Sequence, residues 1–307
     1  MSGAVFTKEM KKDYTILAPN MLPIHFRFLS KIFDSYGYKP EVLETTGRYI
    51  TDTGLKYVHN DTCYPALLVI GQLISALQSG KYDVHKTALL ITQTGGGCRA
   101  SNYIFLLRKA LEKAGLGFVP VISLNFAGTE SSPGFKITLP MLFKLVSAVL
   151  YGDLLMMLRN QCLPYETEPG STRKLVESWT DRLVSLMSSP AFFTRKNTMK
   201  KYGEIIRDFA ALPKTGEKKM KVGIVGEIYV KFAPLGNNDL EEFLHSENCE
   251  VVMSGLLDFC MYCAYNMEHD RQYYGDNSKL YTFIVGKVYK YLLARQRDII
   301  SAIEKEG

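Results

Sequence analysis

No stretch of this sequence holds the ~18 uninterrupted apolar residues that a membrane-spanning helix needs. The nearest candidate, LPMLFKLVSAVLYGDLLMML, is broken by Lys144 and Asp153 and reads as an amphipathic or buried helix, so no membrane partner is expected. The first residues, MSGAVFTKEMKKDYTIL, lack an apolar core ahead of a cleavage site, which argues against a secretory leader. A cytoplasmic address is the expectation. Charge of one sign is also scarce, since 37 basic residues stand against 31 acidic ones for a net +6. That excess suits either a solvated surface or attraction of a polyanion such as a nucleotide or a coenzyme A tail. Helix-turn-helix, zinc-finger and RNA-binding signatures are missing, as is a dense basic stripe, so nucleic acid is not an expected partner. The closest approach to such a stripe, TGEKKMK (Thr215 to Lys221), has the composition of a solvated linker. HExxH, a serine triad and paired carboxylates are missing too, and no short repeat or low-complexity tract occurs.

What is present is a globular composition, 47% hydrophobic and 22% charged over 307 residues, enough for two or three units with real cores. YTIL (14–17) is a short apolar run, followed by helical spacing from Ile24 through Phe28, Leu29, Ile32 and Phe33 to a stop near Gly37. KPEVLE then supplies a second strand, completing a β-α-β unit of the kind that builds parallel sheets. A helix is expected over Ala66 to Ser79, then a doubly buried strand TALLITQ (Thr87 to Gln93), a helix from about Ser101 to Lys113 closed by Gly115, and the strand FVPVISLN. From about Leu139 to Leu212 the pattern is mostly helical. Alternation of strand and helix resumes at MKVGIVGEIYV (Met220 to Val230) and continues through LEEFLHSE, CEVVMSG and LLDFCMYCAYN to one or two C-terminal helices. The expected organisation is a first α/β lobe over 1–135, a mostly helical segment over 136–218 and a second α/β lobe over 219–307.

Six cysteines, Cys63, Cys98, Cys162, Cys249, Cys260 and Cys263, in a cytoplasmic setting point to buried thiols, metal ligands or redox groups more than to structural disulfides. TQTGGGCRASNY (Thr92 to Tyr103) places Gly95, Gly96, Gly97, Cys98 and Arg99 between a buried strand and a helix. It fails the dinucleotide pattern G-x-G-x-x-G, and it lacks the lysine and hydroxyl of a phosphate-binding Walker loop. In an open parallel sheet such a turn is where ligands bind, and a cysteine at a helix start has its thiolate favoured. A tight turn around a small buried thiol is the plainer alternative. Cys63, in NDTCYPALLVIGQ, stands at the same kind of helix start, with Pro65 in the first turn and His59 nearby. Two such thiols from neighbouring crossovers suit one crevice, but they are too few for a closed tetrahedral metal centre. Cys260 and Cys263 share a helix face at i and i+3, as core thiols, a dithiol pair or ligands. Cys162 and Cys249 default to structural roles.

Together, NDTCYPALLVIGQLISALQSGKYD, TALLITQTGGGCRASNYIFLLRKAL and VPVISLN resemble the 2-hydroxyacyl-CoA dehydratase family. More narrowly, they are similar to the dehydratase-subunit-like region of large acyl-CoA dehydratase activase proteins of anaerobic bacteria. The likeness extends through KKDYTILAPNMLPIHF, YGDLLMM, KVGIVGEIYVKFAPLGNNDLEEFL and VVMSGLLDF, nearly the whole chain. It implies two Rossmann-like lobes with parallel sheets and an intervening helical segment. A [4Fe-4S] cluster would be held by three cysteines with one iron open to a ligand. The implied partner is an ATP-dependent activase of actin-like fold that delivers one low-potential electron, and the implied substrate is an acyl-CoA. Carried over residue by residue, Cys63 and Cys98 match the cysteine motifs and Cys263 is the third ligand, with Cys260 the competitor. Gly95, Gly96, Gly97 and Arg99 would line the cluster. The activity implied is a dehydratase-like lyase or an ATP-coupled reductase component, in a homo- or heterodimer. Two other readings stay open, namely a cluster-bearing electron-transfer protein without acyl-CoA and a metal-free α/β module that partners an activase.

Overall fold

In a computed structural model, which describes residues 3–93, 102–125, 132–275 and 278–306, the protein is a mixed α/β chain, 64% helical. Its main sheet has four parallel strands, β1 (Thr15–Pro19), β2 (Lys39–Leu43), β3 (Thr87–Gln93) and β4 (Val121–Asn125), in the order β2-β1-β3-β4. Parallel neighbours need crossovers. After the short α1 (Met10–Asp13), these are α2 (Pro23–Ser35), the pair α3 (Arg48–Tyr57) and α4 (Tyr64–Gln78), and α5 (Tyr103–Lys113). Strands β1 and β3 are continuous apolar runs because both faces are covered: Ile16, Leu17, Leu89 and Ile91 are all essentially inaccessible. Gly37 and Gly115 end α2 and α5 in the left-handed region, φ 81° and 74°, where glycine carries no Cβ penalty.

α4 is apolar on nearly every side, buried continuously from Ala66 to Ile74, and it packs against β1, α3 and α5. A helix of that kind belongs inside a protein. Its neighbour α3 escapes a reading by periodicity, because its buried residues are only Ile50 and Gly54. The two helices meet on glycines. A Cβ on Gly54 would collide with the Leu67 carbonyl oxygen, and one on Gly71 with the carbonyl oxygen of Ile50.

The central stretch is helical as expected: α6 (Leu139–Cys162), α7 (Ser171–Leu186) and α8 (Arg195–Ala210). By length and composition Leu139–Tyr165 is apolar enough to cross a membrane, and half of its apolar 18-residue window is buried within the protein. Beyond residue 218 the strands are shorter than expected. Only β5 (Lys221–Gly223) and β6 (Glu250–Val252) pair, in parallel. The rest of MKVGIVGEIYV departs from a strand at Val225, which is 90% exposed, and enters α9 (Ile228–Phe232). Then come α10 (Pro234–Asn237), α11 (Leu240–Ser246), α12 (Leu256–Tyr274) and one long α13 (Lys279–Glu306).

Packing divides the chain into two units, each built from separate pieces. The first comprises 1–142 with 229–240, and the second 143–228 with 241–307. Tyr229, Ala233 and Leu235 therefore belong to the same core as α4 and β3, although the chain reaches them only after passing through α6, α7 and α8.

Candidate functional site

The order β2-β1-β3-β4 means that the chain leaves β1 toward one edge of the sheet and later returns to β3 on β1's other side. In open parallel sheets, ligands bind outside the carboxyl ends of the strands at such a reversal of strand order. Asn20, directly after β1, is 7% exposed and its carboxamide oxygen meets no donor among the described residues. After β2, Gln72 of α4 donates to the carbonyl oxygens of Leu43, at 3.3 Å, and Thr45, at 2.9 Å, pinning α4 to the end of that strand.

Cys63 is the residue immediately before α4, in extended geometry with φ −59° and ψ 147°. The chain approaches it through a turn in which Thr62 N–H donates to the His59 carbonyl oxygen at 3.0 Å. Pro65 fits the first helical turn because an N–H there would have no helical acceptor. Since α4 returns the chain to the start of β3, its N-terminus lies toward the carboxyl ends of the strands. The half-buried Cys63 Sγ lies 3.5 Å from the Tyr103 hydroxyl. Tyr103 is the first residue of α5, the helix that follows β3, so the two cysteine-bearing blocks converge here. Cys98 itself, with Gly95, Gly96, Gly97 and Arg99, lies outside the described residues. His59 does not reach the thiol: its ring sits 3.2 Å from Asp61 in an exposed pair. Asn20 and Tyr103 escaped the sequence reading, because each gains its place from strand order and not from a local motif.

The other two candidate thiols belong to the second unit. Cys260 and Cys263 lie one helical turn apart on α12, and both are partly buried. Burial first, then the neighbouring Cys263 and Asp153, push the Cys260 thiol up to about 11, and burial raises that of Cys263. Metal-free, Cys260 is thus protonated at neutral pH, and ligation would release its proton. The N-terminus of α12 is closed by an external carboxylate: Asp153 accepts the N–H groups of Leu256 and Leu257, each at 2.8 Å. Gly255 is required beside it, since a Cβ there would strike that carboxylate. The blocks YGDLLMM and VVMSGLLDF are joined by this contact. Cys162 is buried, with its thiol raised chiefly by burial, as expected of a structural cysteine. Among the described residues no three His, Cys, Asp or Glu side chains converge as a metal site.

Comparison of the chain with protein-family models, with curated proteins and with solved structures gives no match.

Proposed function

We propose that the protein is an iron-sulfur redox component of the 2-hydroxyacyl-CoA dehydratase type, working in the cytoplasm, where thiols stay reduced. The observation that carries this reading is the 3.5 Å approach of Cys63 Sγ to Tyr103 at the head of α5. It brings the NDTCYP block against the helix that TGGGCRASNY opens into, at the end of a parallel sheet where ligands collect. The donor chemistry fits. Cys63, Cys260 and Cys263 are all free of disulfides, and α4 presents its positive end beside Cys63, which offsets the negative charge of a thiolate-bound cluster.

In this reading Cys63, Cys98 and Cys263 would hold a [4Fe-4S] cluster, with Cys260 the competing third ligand. Gly95, Gly96 and Gly97 would give it room, and Arg99 would add positive charge. When bound, the cluster would supply a single low-potential electron and an open iron for a substrate oxygen. The chain's own contribution would be to hold the thiolates, with Cys63 seated at a helix start, and to shield them from water. The electron source would be an ATP-dependent activase of actin-like fold, and the substrate an acyl-CoA. The parallel pairing of β5 with β6 is consistent with a second Rossmann-like lobe, and assembly as a homo- or heterodimer belongs to the same reading.

A competing reading is a metal-free α/β module that partners an activase. Anaerobic purification with reconstitution separates the two. Iron and sulfide near four of each per chain, with a broad visible absorption lost in Cys63→Ala and Cys98→Ala, is the expected result. A chain that stays iron-free after reconstitution sinks the cluster. Comparing Cys260→Ala with Cys263→Ala identifies the third ligand. Coenzyme A binding to the reduced protein distinguishes a dehydratase from an electron carrier.

A further inference from the structure

The second half of α13 is committed to the fold. Leu292, Asp298, Ile299 and Ala302 are buried, and Asp298 takes ion pairs from Arg195 of α8 and from Arg295. The first half is held on one face, where buried Thr282 accepts from Arg271 of α12 at 3.2 Å, and is exposed on another. Leu280, Ile284, Lys287 and Tyr291 follow one another at spacings of four, three and four, the interval that keeps side chains along one seam of a helix. Leu280 is 69% exposed, Ile284 52% and Tyr291 46%, and Lys287 is exposed between them. Phe283 and Val288 flank the seam, also exposed. An apolar helical stripe left in water is an interaction surface that lacks its partner.

Charge narrows the choice of partner. From Ser278 to Arg297 the chain contains Lys279, Lys287, Lys290, Arg295 and Arg297 and no acidic residue. Lys279, Lys287, Lys290 and Arg297 make no ion pair among the described residues, and only Lys287 is engaged otherwise, 5.3 Å above the Phe283 ring. A lysine within the seam marks register and partner at a cost in stability. Through this stripe a second copy would set like charges against each other. A lipid surface is also a poorer match, since an interfacial helix keeps its cations on the polar face, whereas Lys287 stands within the apolar seam between Ile284 and Tyr291.

We infer that the seam Leu280–Ile284–Lys287–Tyr291 docks an acidic amphipathic helix of a partner protein, with a carboxylate opposite Lys287. Its occupancy needs no metal.

The test uses the full chain and two three-heptad helical peptides with identical leucine seams. One carries glutamate opposite Lys287 and along its flanks, and the other carries lysine at those positions. The acidic peptide should bind, and binding should weaken about tenfold or more in 0.5 M salt, where the screening length falls to a few ångströms. Ile284→Ser should weaken it at least as much, and Leu280→Ser, at a still more exposed position, is the second variant if the first loses helicity. Lys287→Glu should transfer preference to the basic peptide. The inference is overturned if neither peptide binds at about 1 mM, or if both bind alike. Ile284-dependent pelleting with phosphatidylglycerol vesicles would overturn it in favour of lipid. An Ile284-dependent dimer in sedimentation would overturn it in favour of a second copy.

Discussion

Cys260 and His245 show how position alone changes what a side chain can do. A thiol held up to about 11 by burial, by Cys263 and by Asp153 is almost entirely protonated at pH 8. Its thiolate fraction is about a hundredfold below that of an ordinary cysteine, and the thiolate is the reacting form. Mass-spectrometric footprinting of the metal-free chain with iodoacetamide should find Cys260 modified about that much more slowly than a cysteine in an unfolded peptide. Equal rates would mean that its burial does not persist in solution. His245 is the histidine counterpart. Burial, then the Arg159 guanidinium, lower its pKa, while Glu241 and Glu242 pull the other way. Its ring contacts Asn160 Oδ1 at 3.3 Å, beside a network in which Arg159 pairs with both glutamates and Arg173 with Glu242. Because the folded pKa lies below the unfolded one, near 6.5, the unfolded chain takes up the proton first. Stability is therefore full above about pH 6.5 and declines as pH falls toward the folded value. Urea midpoints measured from pH 7.5 to 5 should fall less in His245→Gln than in the parent, and identical slopes would exclude this histidine as the source.

At the scale of elements, α3 and α4 of the first unit meet through glycine against backbone. Gly71→Ala must push a methyl group against the Ile50 carbonyl, and backbone shifts of that kind cost about 1–3 kcal/mol. Thermal and urea unfolding should show that loss. A neutral Gly71→Ala would mean that the helices lie further apart than described. The same pair explains what sequence could and could not disclose. TALLITQ was legible as a doubly buried strand and the longer run after Cys63 as a helix, because length separates two apolar runs that periodicity alone does not. α3 was not, since its contact surface is made of backbone beside glycine and leaves little hydrophobic pattern. MKVGIVGEIYV holds the expected alternation as β5 followed by α9, but with a short strand. Its apolar residues do not share one fate: Ile224 is buried and Val225 lies in water. In the site, Cys63 was legible from the proline that follows it. Asn20 and Tyr103 gain meaning only from strand order, which local patterns do not carry.

For the whole molecule, the way the chain is shared between units matters more than any single contact. The first unit's core includes Tyr229, Ala233 and Leu235, contributed after three long helices of the other unit. A fragment of residues 1–142 should therefore retain the parallel sheet but lose the burial of these side chains. At about 1.5–3 kcal/mol for a large apolar side chain, that loss comes to roughly 3–6 kcal/mol, comparable with the entire stability of a small domain. Expressed alone, the fragment should bind a hydrophobic dye and unfold at lower urea than the corresponding transition of the full chain. A fragment as stable as the full chain would show that these residues are accessory.

That shared core has a consequence on the ribosome. Strands, glycine segment and α4 are all synthesised early, yet the residues that complete their core are encoded beyond residue 228. At synthesis rates of roughly 5–20 residues per second, the nascent first unit waits about 5–20 s with its core incomplete. Through that interval the Cys63 end of α4 belongs to an unfinished fold. Any cofactor loading that needs a closed core must follow, and cannot accompany, the first half of translation.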